Sequence, residues 1–447
     1  MIPVLPRLCL CLLFLLWAKG GLLAQKKSKE EVTPVQDEYY QDFFRYQDWT
    51  YRSYIRTVQL RRADWELSSP LIKLNTDEKL RLSFDDLDGD VKDYSYTLVH
   101  CDASWQASGI LNSDFLSGFY EEPITEHAYS FNTVQKYTHW SLVFPTENMK
   151  ITKSGNYVIK VYTHNNPDSF VISRRFMVCE DLVGIKAVIK KGTDVAYSNY
   201  RQEIDFLLNS SGYNLTNPYS DLKVVLTQNE RWDNAIYGLK PMFVKDKELD
   251  YNLDDVNSFP GGSEFRRFDT KSIRWKTDHV KEIYFDSAMQ RYRFDLITAE
   301  KRAWKKYNSD FDMNGNYIIK VQEGSDSDVE ADYVYVNIFL AADAPAKEGN
   351  FYVFGALSDW QCKPEFKLIY NTERGGYECT LLLKQGYYNY EFIFLKDGET
   401  IADNTVIEGM HFETENDYTI WAYHREIGGN YDRLIAVKRI NSAKNQN

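Results

Sequence analysis

The sequence lacks the common catalytic signatures. It contains no HExxH, GxSxG, Walker or Rossmann motif, and its seven histidines are scattered along 447 residues. Neither a CxxC pair nor a Cys/His spacing typical of zinc sites occurs. His100, Cys101 and Asp102 are consecutive, but neighbours on a predicted strand point to opposite faces, so these side chains cannot converge unaided. We therefore predict a protein that is not an enzyme and has no cofactor or metal site.

Positive charge and long apolar runs are also scarce. The formal net charge of -12 and the pI near 5.2 argue against a nucleic-acid partner. The longest apolar run, residues 8–17, has about half the length that a membrane-spanning helix needs. It follows Arg7 and precedes Ala24, so we predict that residues 1–24 are a signal peptide. The mature protein should then be soluble and not inserted directly into a membrane.

Cysteines are few. Four remain after the signal peptide: Cys101, Cys179, Cys362 and Cys379. Export permits disulfides, and a Cys362–Cys379 bond is favoured because both residues flank strands of one small unit. For Cys101 and Cys179, buried free thiols are an equal alternative.

Strand patterns, by contrast, are abundant. Residues 155–161 read GNYVIKV and residues 315–321 read GNYIIKV, and in both copies apolar residues alternate with the period of two typical of a half-buried strand. Each copy is followed by a further strand pattern, at residues 170–179 and 331–340. A Gly-x-Tyr entry into a hairpin is typical of the tyrosine corner of an immunoglobulin-like sandwich. The pattern predicts an all-β protein of three tandem immunoglobulin-like or early-set β-sandwich domains.

The predicted domain boundaries follow from these patterns and from composition. They are a signal peptide at 1–24, a lead-in with an aromatic segment at 25–56, a first β-sandwich at 57–180, a second with a long inserted loop at 181–345, an early-set-like β-sandwich at 346–427 and a C-terminal tail at 428–447. The aromatic segment holds eight rings within residues 39–54. We favour its docking on the first domain, with a contact surface for a partner as the alternative.

One acidic turn resembles a metal loop in part. Residues 310–315 read DFDMNG, the opening of a calcium loop, but the bidentate Glu of an EF-hand would fall at Val321. We therefore favour an Asx-rich turn over a metal site.

Several long phrases carry a family resemblance. They are NERWDNAIYGLKPMF at 229–243, LDY at 249–251 and FPGGSEFRRFD at 259–269, with LSFDDLDGD at 82–90, YTLVHCDASW at 96–105, YSFNTVQKYTHWSLVFP at 129–145 and SGNYVIKVY at 154–162. Over residues 55–340 the chain resembles the plug protein family of the bacterial type IX secretion system. Ser263 stands where the family is expected to have Asn.

The resemblance implies a noncatalytic periplasmic protein associated with the outer membrane. It would bind and close the periplasmic opening of the SprA-type translocon, a very large β-barrel. The partner-binding residues expected in the third phrase are Phe259, Gly261, Gly262, Glu264, Phe265, Arg266, Phe268 and Asp269. The alternative is a self-contained loop in which these residues fix local structure.

A second resemblance concerns the C-terminal domain. Residues 351–361 and 386–399 resemble glycogen-binding early-set modules, and Trp360 matches one sugar-stacking position. However, Glu391 replaces the family's Lys, and Glu399 and Thr400 stand where a second stacking Trp is expected. Binding of carbohydrate is therefore not expected, although a cell-envelope carbohydrate-binding protein remains the alternative function.

Overall fold

A computed structural model describes residues 43–444, and nearly all of its regular structure is β-strand. The predicted signal peptide and most of the lead-in lie outside the described residues. The first sandwich contains β1 (Trp49–Thr50), β2 (Ile55–Arg62), β3 (Leu71–Lys73), β4 (Leu80–Asp86), β5 (Tyr94–Cys101), β6 (Leu116–Gly118), β7 (Glu121–Ile124), β8 (Glu126–Tyr129), β9 (Thr138–Phe144), β10 (Met149–Ile151), β11 (Gly155–Thr163) and β12 (Phe170–Cys179).

Two sheets close this sandwich. One has the order β1-β12-β11-β5-β7, with β3 parallel to β12, and the other has the order β2-β4-β9-β8. Their facing apolar side chains, such as Phe84, Tyr157 and Phe176, form one buried core. The aromatic lead-in docks here as predicted, because Tyr51 is buried against Phe170 with ring centroids 5.4 Å apart.

The second sandwich begins with seven strands. They are β13 (Gly184–Lys191), β14 (Arg201–Asn209), β15 (Leu222–Gln228), β16 (Ile236–Leu239), β17 (Phe243–Lys245), β18 (Glu248–Asp250) and β19 (Ser258–Pro260). One sheet has the order β13-β14-β18-β17, with β19 also on β14, while β15 and β16 belong to the opposite sheet.

The chain then builds a third sandwich before the second is complete. Its strands are β20 (Arg266–Asp269), β21 (Val280–Asp286), β22 (Arg291–Leu296), β23 (Tyr317–Ile319), β24 (Tyr333–Ala341), β25 (Gly349–Phe354), β26 (Ile369–Asn371), β27 (Gly376–Lys384) and β28 (Gly386–Lys396). One sheet has the order β21-β22-β24-β27-β26, and in the other β28 pairs with β20, β23 and β25.

The last two strands return to the second sandwich. β29 (Asp417–His424) pairs with β15, and β30 (Arg433–Asn441) pairs with β29. Short helices α1 (Asn112–Phe115), α2 (Pro218–Asp221) and α3 (Ser327–Glu330), and 3-10 turns at Asp254–Asn257, Ala356–Ser358 and Pro364–Phe366, complete the described elements.

The prediction of an all-β protein built from sandwiches is confirmed, but strand pairing divides the chain differently from the predicted boundaries at 345 and 427. β24, expected in the second sandwich, pairs with β27 of the third. β29, expected in the third, belongs to the second, and the expected tail contains β30. The third sandwich is therefore an insertion in the second. Period-two patterns identify strands, but the partner of each strand depends on contacts distant in sequence.

The two near-identical heptapeptides also differ. The first lies in β11, which pairs with β12 in the predicted hairpin. The second supplies only the three residues of β23, which pairs with β28 and not with β24. The predicted second hairpin is therefore wrong.

The first two sandwiches share a buried apolar interface. Trp105 and Met177 of the first pack with Val225, Trp421 and Leu434 of the second. Within it Tyr423 donates a hydrogen bond to Asn156 Oδ1 at 2.8 Å. Because these side chains form one buried cluster, separating the sandwiches would expose apolar surface to water.

The first and third sandwiches meet through buried charges. The Asp85 carboxylate on β4 accepts hydrogen bonds from Lys384 Nζ and Tyr333 Oη, each at 2.7 Å, and lies 2.7 Å from His139 Nδ1. Asp85 and Lys384 are almost completely buried. Burial alone would raise the pKa of Asp85, but Lys384 and His139 more than offset this and hold the pKa below its usual value. Both partners are needed in the docked arrangement, because removing either one would leave the other as a buried, uncompensated charge.

Candidate functional site

The first family-resembling phrase lies where the three sandwiches meet. Trp232 packs edge-on against Trp105 of the first sandwich at 4.9 Å and at a tilt against Trp421 of the second at 5.3 Å. The neighbouring Arg231 pairs with Glu391 of the third sandwich at 3.2 Å. Two adjacent residues thus connect all three sandwiches.

The residues considered for sugar binding belong to this same junction. The Trp360 ring contacts Phe265 and Phe354, with centroids 5.9 and 5.5 Å apart, and the Arg231 guanidinium lies 5.0 Å from its centroid. Glu391 is 3% exposed and accepts hydrogen bonds from Arg231 and from Asn404. Burial raises its pKa, and Arg231 acts in the opposite direction. An anion at this position therefore serves the contact between sandwiches.

The phrase FPGGSEFRRFD joins the second and third sandwiches. Phe259 belongs to the core of the second, and Phe268 stacks on Tyr388 in the core of the third at 5.2 Å. Gly261 lies so close to the His411 carbonyl that an added Cβ would be 2.0 Å from the oxygen, which explains the need for glycine.

All eight residues predicted to bind a partner have intramolecular surroundings. Gly262 O accepts hydrogen bonds from His411 N and Thr414 Oγ1, and Asp269 pairs with Lys271 at 3.0 Å. The Arg266 side chain, the most exposed charged group of the eight, is only 13% accessible. This placement corresponds to the alternative in which the segment fixes local structure.

This segment holds the long loop 297–316 in place. Glu264 accepts a hydrogen bond from Tyr307 Oη at 2.5 Å, and its main-chain oxygen accepts one from Arg302. Arg266 and Arg302 both pair with the buried Glu408, at 2.9 and 2.5 Å. The pKa of Glu408 is lowered because these two cations outweigh the effect of burial.

The far end of the loop is held in the same way. Arg267 pairs with Asp278 at 2.6 Å and with Asp310, and donates to Phe311 O at 3.0 Å. Asp312 Oδ1 accepts from Asn314 N at 2.8 Å, so the predicted Asx turn is confirmed. Burial raises the pKa of Asp312 to about 7, even though the main-chain donors of Asn314 and Phe265 favour its ionised form.

A cavity of about 360 Å³ lies between the segment and the loop. Its lining includes Glu264, Arg266, Ile297, Lys305, Lys306 and Tyr307. Around it the loop presents exposed apolar side chains, with Trp304 89%, Phe311 78% and Ile297 56% exposed. We call Ile297, Lys301, Trp304, Lys305, Lys306 and Phe311 the basic-aromatic rim. Part of this rim is visible in the sequence, because residues 301–306 read KRAWKK and so place four cations and a Trp together in an acidic chain.

Two further residue groups have structural explanations. Asp86, Asp88 and Asp90 bring their carboxylates together, but Lys92 Nζ lies 2.6, 2.8 and 2.7 Å from them and pairs with all three. His100 Nε2 donates a hydrogen bond to the Ser154 carbonyl at 3.1 Å, and Nδ1 lies 2.8 Å from Ser108 Oγ. Burial lowers the pKa of His100 to about 4.

The four cysteines of the described part are free thiols, so the favoured Cys362–Cys379 bond is not formed. Cys379 lies in the core of the third sandwich, whereas Cys362 packs with Tyr352 and Phe354. Val353 of the same strand points into the core, so Cys362 is on the other face of β25. The two thiols are thus separated by a strand.

None of the helices within residues 43–444 has the length and apolar character needed to cross a membrane.

Comparison with solved structures shows similarity over most of the chain. A crystal structure of a hypothetical protein from Parabacteroides merdae shares 32% identity, covers 89% of this chain and 100% of its own, and has a TM-score of 0.85. An alpha-2-macroglobulin mutant from Salmonella covers 86% of this chain and 23% of its own at 10% identity, but its TM-score of 0.15 supports no argument. The chain has no match among curated proteins. Residues 55–180 match the sequence model of the type 9 secretion system plug protein 1st domain, which coincides with the first sandwich, and the chain belongs to this plug protein family.

Proposed function

We propose that this protein is a noncatalytic plug that binds and closes the periplasmic opening of the SprA-type translocon of the type IX secretion system. Family membership supports association with the secretion apparatus. It also supports a periplasmic location beside that apparatus. The periplasmic opening and the SprA-type barrel as partner are part of the proposal.

The observation that carries the proposal is the joining of three sandwiches into one body. An apolar core joins the first and second, the Asp85–Lys384 pair joins the first and third, and the Arg231–Glu391 pair joins the second and third. A wide aqueous opening needs a seal that keeps its shape. A preformed body loses less conformational entropy on binding than linked mobile domains would.

A carbohydrate-binding role has less support. Trp360, the retained stacking residue, is in contact with Phe265, Phe354 and Arg231. A sugar ring would need that aromatic face. We therefore expect no binding of maltooligosaccharides in calorimetry, and micromolar binding that is lost in Trp360→Ala would favour the alternative function.

The test of the plug role is capture and sealing of the barrel. Tagged full-length protein should copurify with a very large outer-membrane barrel from envelope extracts. Cells lacking the protein should become permeable to vancomycin, and the wild-type gene should restore resistance. Failure to capture the barrel, together with unchanged permeability, would contradict the proposal.

Rigidity can be tested with a variant at the junction. Trp232→Ala removes the ring shared by the first and second sandwiches, and it should weaken both capture and sealing. Trp275→Ala is the matched control because that ring is 65% exposed. If loosening the junction leaves sealing intact while a melting curve shows lower stability, the rigid-body argument is wrong.

A further inference from the structure

The turn that carries Trp304 is ordered and projects from the body. Lys305 N donates to Arg302 O at 2.9 Å, which places Ala303 and Trp304 at the centre of a β-turn. Arg302 anchors this turn, because its amide donates to Ile407 O and its side chain pairs with buried Glu408. The turn therefore fixes the backbone from which the Trp304 ring, 89% exposed, projects.

The segment that forms this turn has a charge opposite in sign to that of the whole chain. Residues 301–306 contain four cations and no acid, whereas the chain has a net charge of -12. Lys305 pairs with Glu300, but both side chains are largely exposed, so this pair is weak. Within residues 43–444, no ion pair is found for Lys301 or Lys306. The rim can therefore attract an acidic partner.

The cavity beside the turn is lined by a buried carboxylate that needs a hydrogen-bond donor. Glu264 lines it, is 3% exposed, and its Oε2 atom has no hydrogen-bond donor within the described part of the chain. A buried carboxylate oxygen without a donor costs free energy. An inserted polypeptide would offer main-chain N–H groups to this oxygen. Acidic side chains on the same segment would meet Lys305 and Lys306 at the opening.

We propose that the basic-aromatic rim is the surface by which this protein docks on an acidic polypeptide segment of the translocon, with Trp304 entering a pocket of the partner and the segment entering the cavity at Glu264. This inference rests on the proposed function and assigns it a surface. Exposed Trp and cationic side chains also suit anionic lipid. A protruding ring beside a cavity of about 360 Å³ favours a partner of defined shape, since a fluid lipid surface offers no fixed pocket for the ring and no segment for the cavity.

The segment predicted from sequence supports this surface indirectly. Glu264 holds the loop through Tyr307 and Arg302. Arg266 holds it through the Glu300 carbonyl, and Arg267 through Asp310. Replacing these residues would move the rim and also disturb the fold. Substitutions in the rim itself are the sharper test, because Trp304 is almost fully exposed and makes no core contact.

The experiment measures binding of the purified full-length protein to the purified barrel in detergent. Trp304→Ala should weaken binding about thirtyfold or more, as expected for a buried aromatic anchor. Lys301→Glu/Lys306→Glu should slow association and reduce its salt dependence. Trp65→Ala, at a ring 59% exposed on the first sandwich, and Lys240→Glu/Lys245→Glu, at exposed lysines of the second, should bind as wild type.

Each outcome distinguishes the two proposals. Wild-type protein that fails to bind the barrel would overturn the plug role. Wild-type binding that Trp304→Ala and the double charge reversal leave unchanged would overturn only the assigned surface. Cosedimentation with phosphatidylglycerol vesicles that is lost in Trp304→Ala, without any change in barrel binding, would assign the rim to lipid and overturn the protein partner. Melting temperatures equal to wild type should accompany every rim variant.

Discussion

Residues 155–161 and 315–321 differ at one position, yet they occupy different structural environments. In the first copy, Ile159 faces the core of the first sandwich and Val158 faces the core shared with the second, so β11 is buried on both faces. In the second copy, β23 is half-buried and pairs with β28 alone. Local sequence determines strand propensity in both, and the surroundings determine how much of each strand is buried.

The true counterpart of the first copy is another Gly-x-Tyr sequence. Tyr157 Oη donates to Lys153 O at 2.6 Å, and Tyr388 Oη donates to Lys384 O at 2.5 Å. In both cases a glycine lies two residues before the tyrosine, and the tyrosine bonds to the carbonyl four residues before it. Within the described residues no such bond is found for Tyr317. The tyrosine corner predicted from the repeat thus occurs at Tyr157 and Tyr388.

Acidification should have the largest effect and should separate the two copies. Opposing cations lower the pKa of Asp85, Asp359 and Glu408 despite burial, so their stabilisation is complete above their ordinary pKa near 4. It is lost as pH falls through the lowered values. Because β23 is short and half-buried whereas β11 is buried, hydrogen exchange from pH 7 to 3 should show residues 317–319 losing protection below about pH 4, before residues 155–163. Simultaneous loss of protection would mean that the body unfolds as one unit.

Replacing the lysine whose carbonyl accepts the tyrosine hydrogen bond should give the next largest difference in the free energy of unfolding between the two units. Lys384→Met leaves Asp85 buried without its cation and should lower the free energy of unfolding by about 3 kcal/mol or more. Lys153→Met, the matched control, removes a half-exposed side chain and should change it by less than about 0.5 kcal/mol. Equal effects in urea denaturation would show that the buried pair is not what stabilises the third sandwich.

Truncating the same residue in each heptapeptide compares the two environments directly. Ile159→Ala removes a fully buried side chain and should cost about 2–5 kcal/mol. Ile319→Ala, in half-buried β23, should cost about 1 kcal/mol. Thermal melts of both variants provide the measurement. A larger loss for Ile319→Ala would contradict the difference in burial.

The smallest expected effect concerns the tyrosine hydroxyls. Tyr157→Phe and Tyr388→Phe each lose one hydrogen bond and should cost about 0.5–1.5 kcal/mol. Tyr317→Phe should have an effect near zero. Chemical denaturation of the three variants tests whether Tyr388 is the structural counterpart of Tyr157. A cost at Tyr317 equal to that at Tyr157 would restore the equivalence of the two copies.

Much of the fold could be predicted because strand patterns are local. Alternating apolar residues and polar turns identified an all-β protein, and the Asx turn at Asp312 followed from short-range chemistry. The insertion of the third sandwich could not be recognised in this way. It depends on β29 pairing with β15, almost two hundred residues earlier in the chain.

The candidate site was located in sequence only through its supporting residues. The unusual density of Phe, Gly and charge at 259–269 drew attention to that segment, but burial assigns these side chains to support. Glu264 and Arg266 hold the loop that bears Trp304, and the exposure of that ring depends on the anchoring of Arg302 by Glu408. A sequence pattern cannot separate a charge paired inside the protein from one left for a partner.

The sequence by itself determined the type of secondary structure, the absence of the common catalytic motifs and the family to which the first sandwich belongs. Each of these depends on short stretches whose pattern carries the information locally. Only the tertiary structure decided which strands pair, which charges are neutralised and which rings face solvent. Those properties depend on neighbours brought together by burial of apolar surface, which is nearly nondirectional and has no local sequence signature.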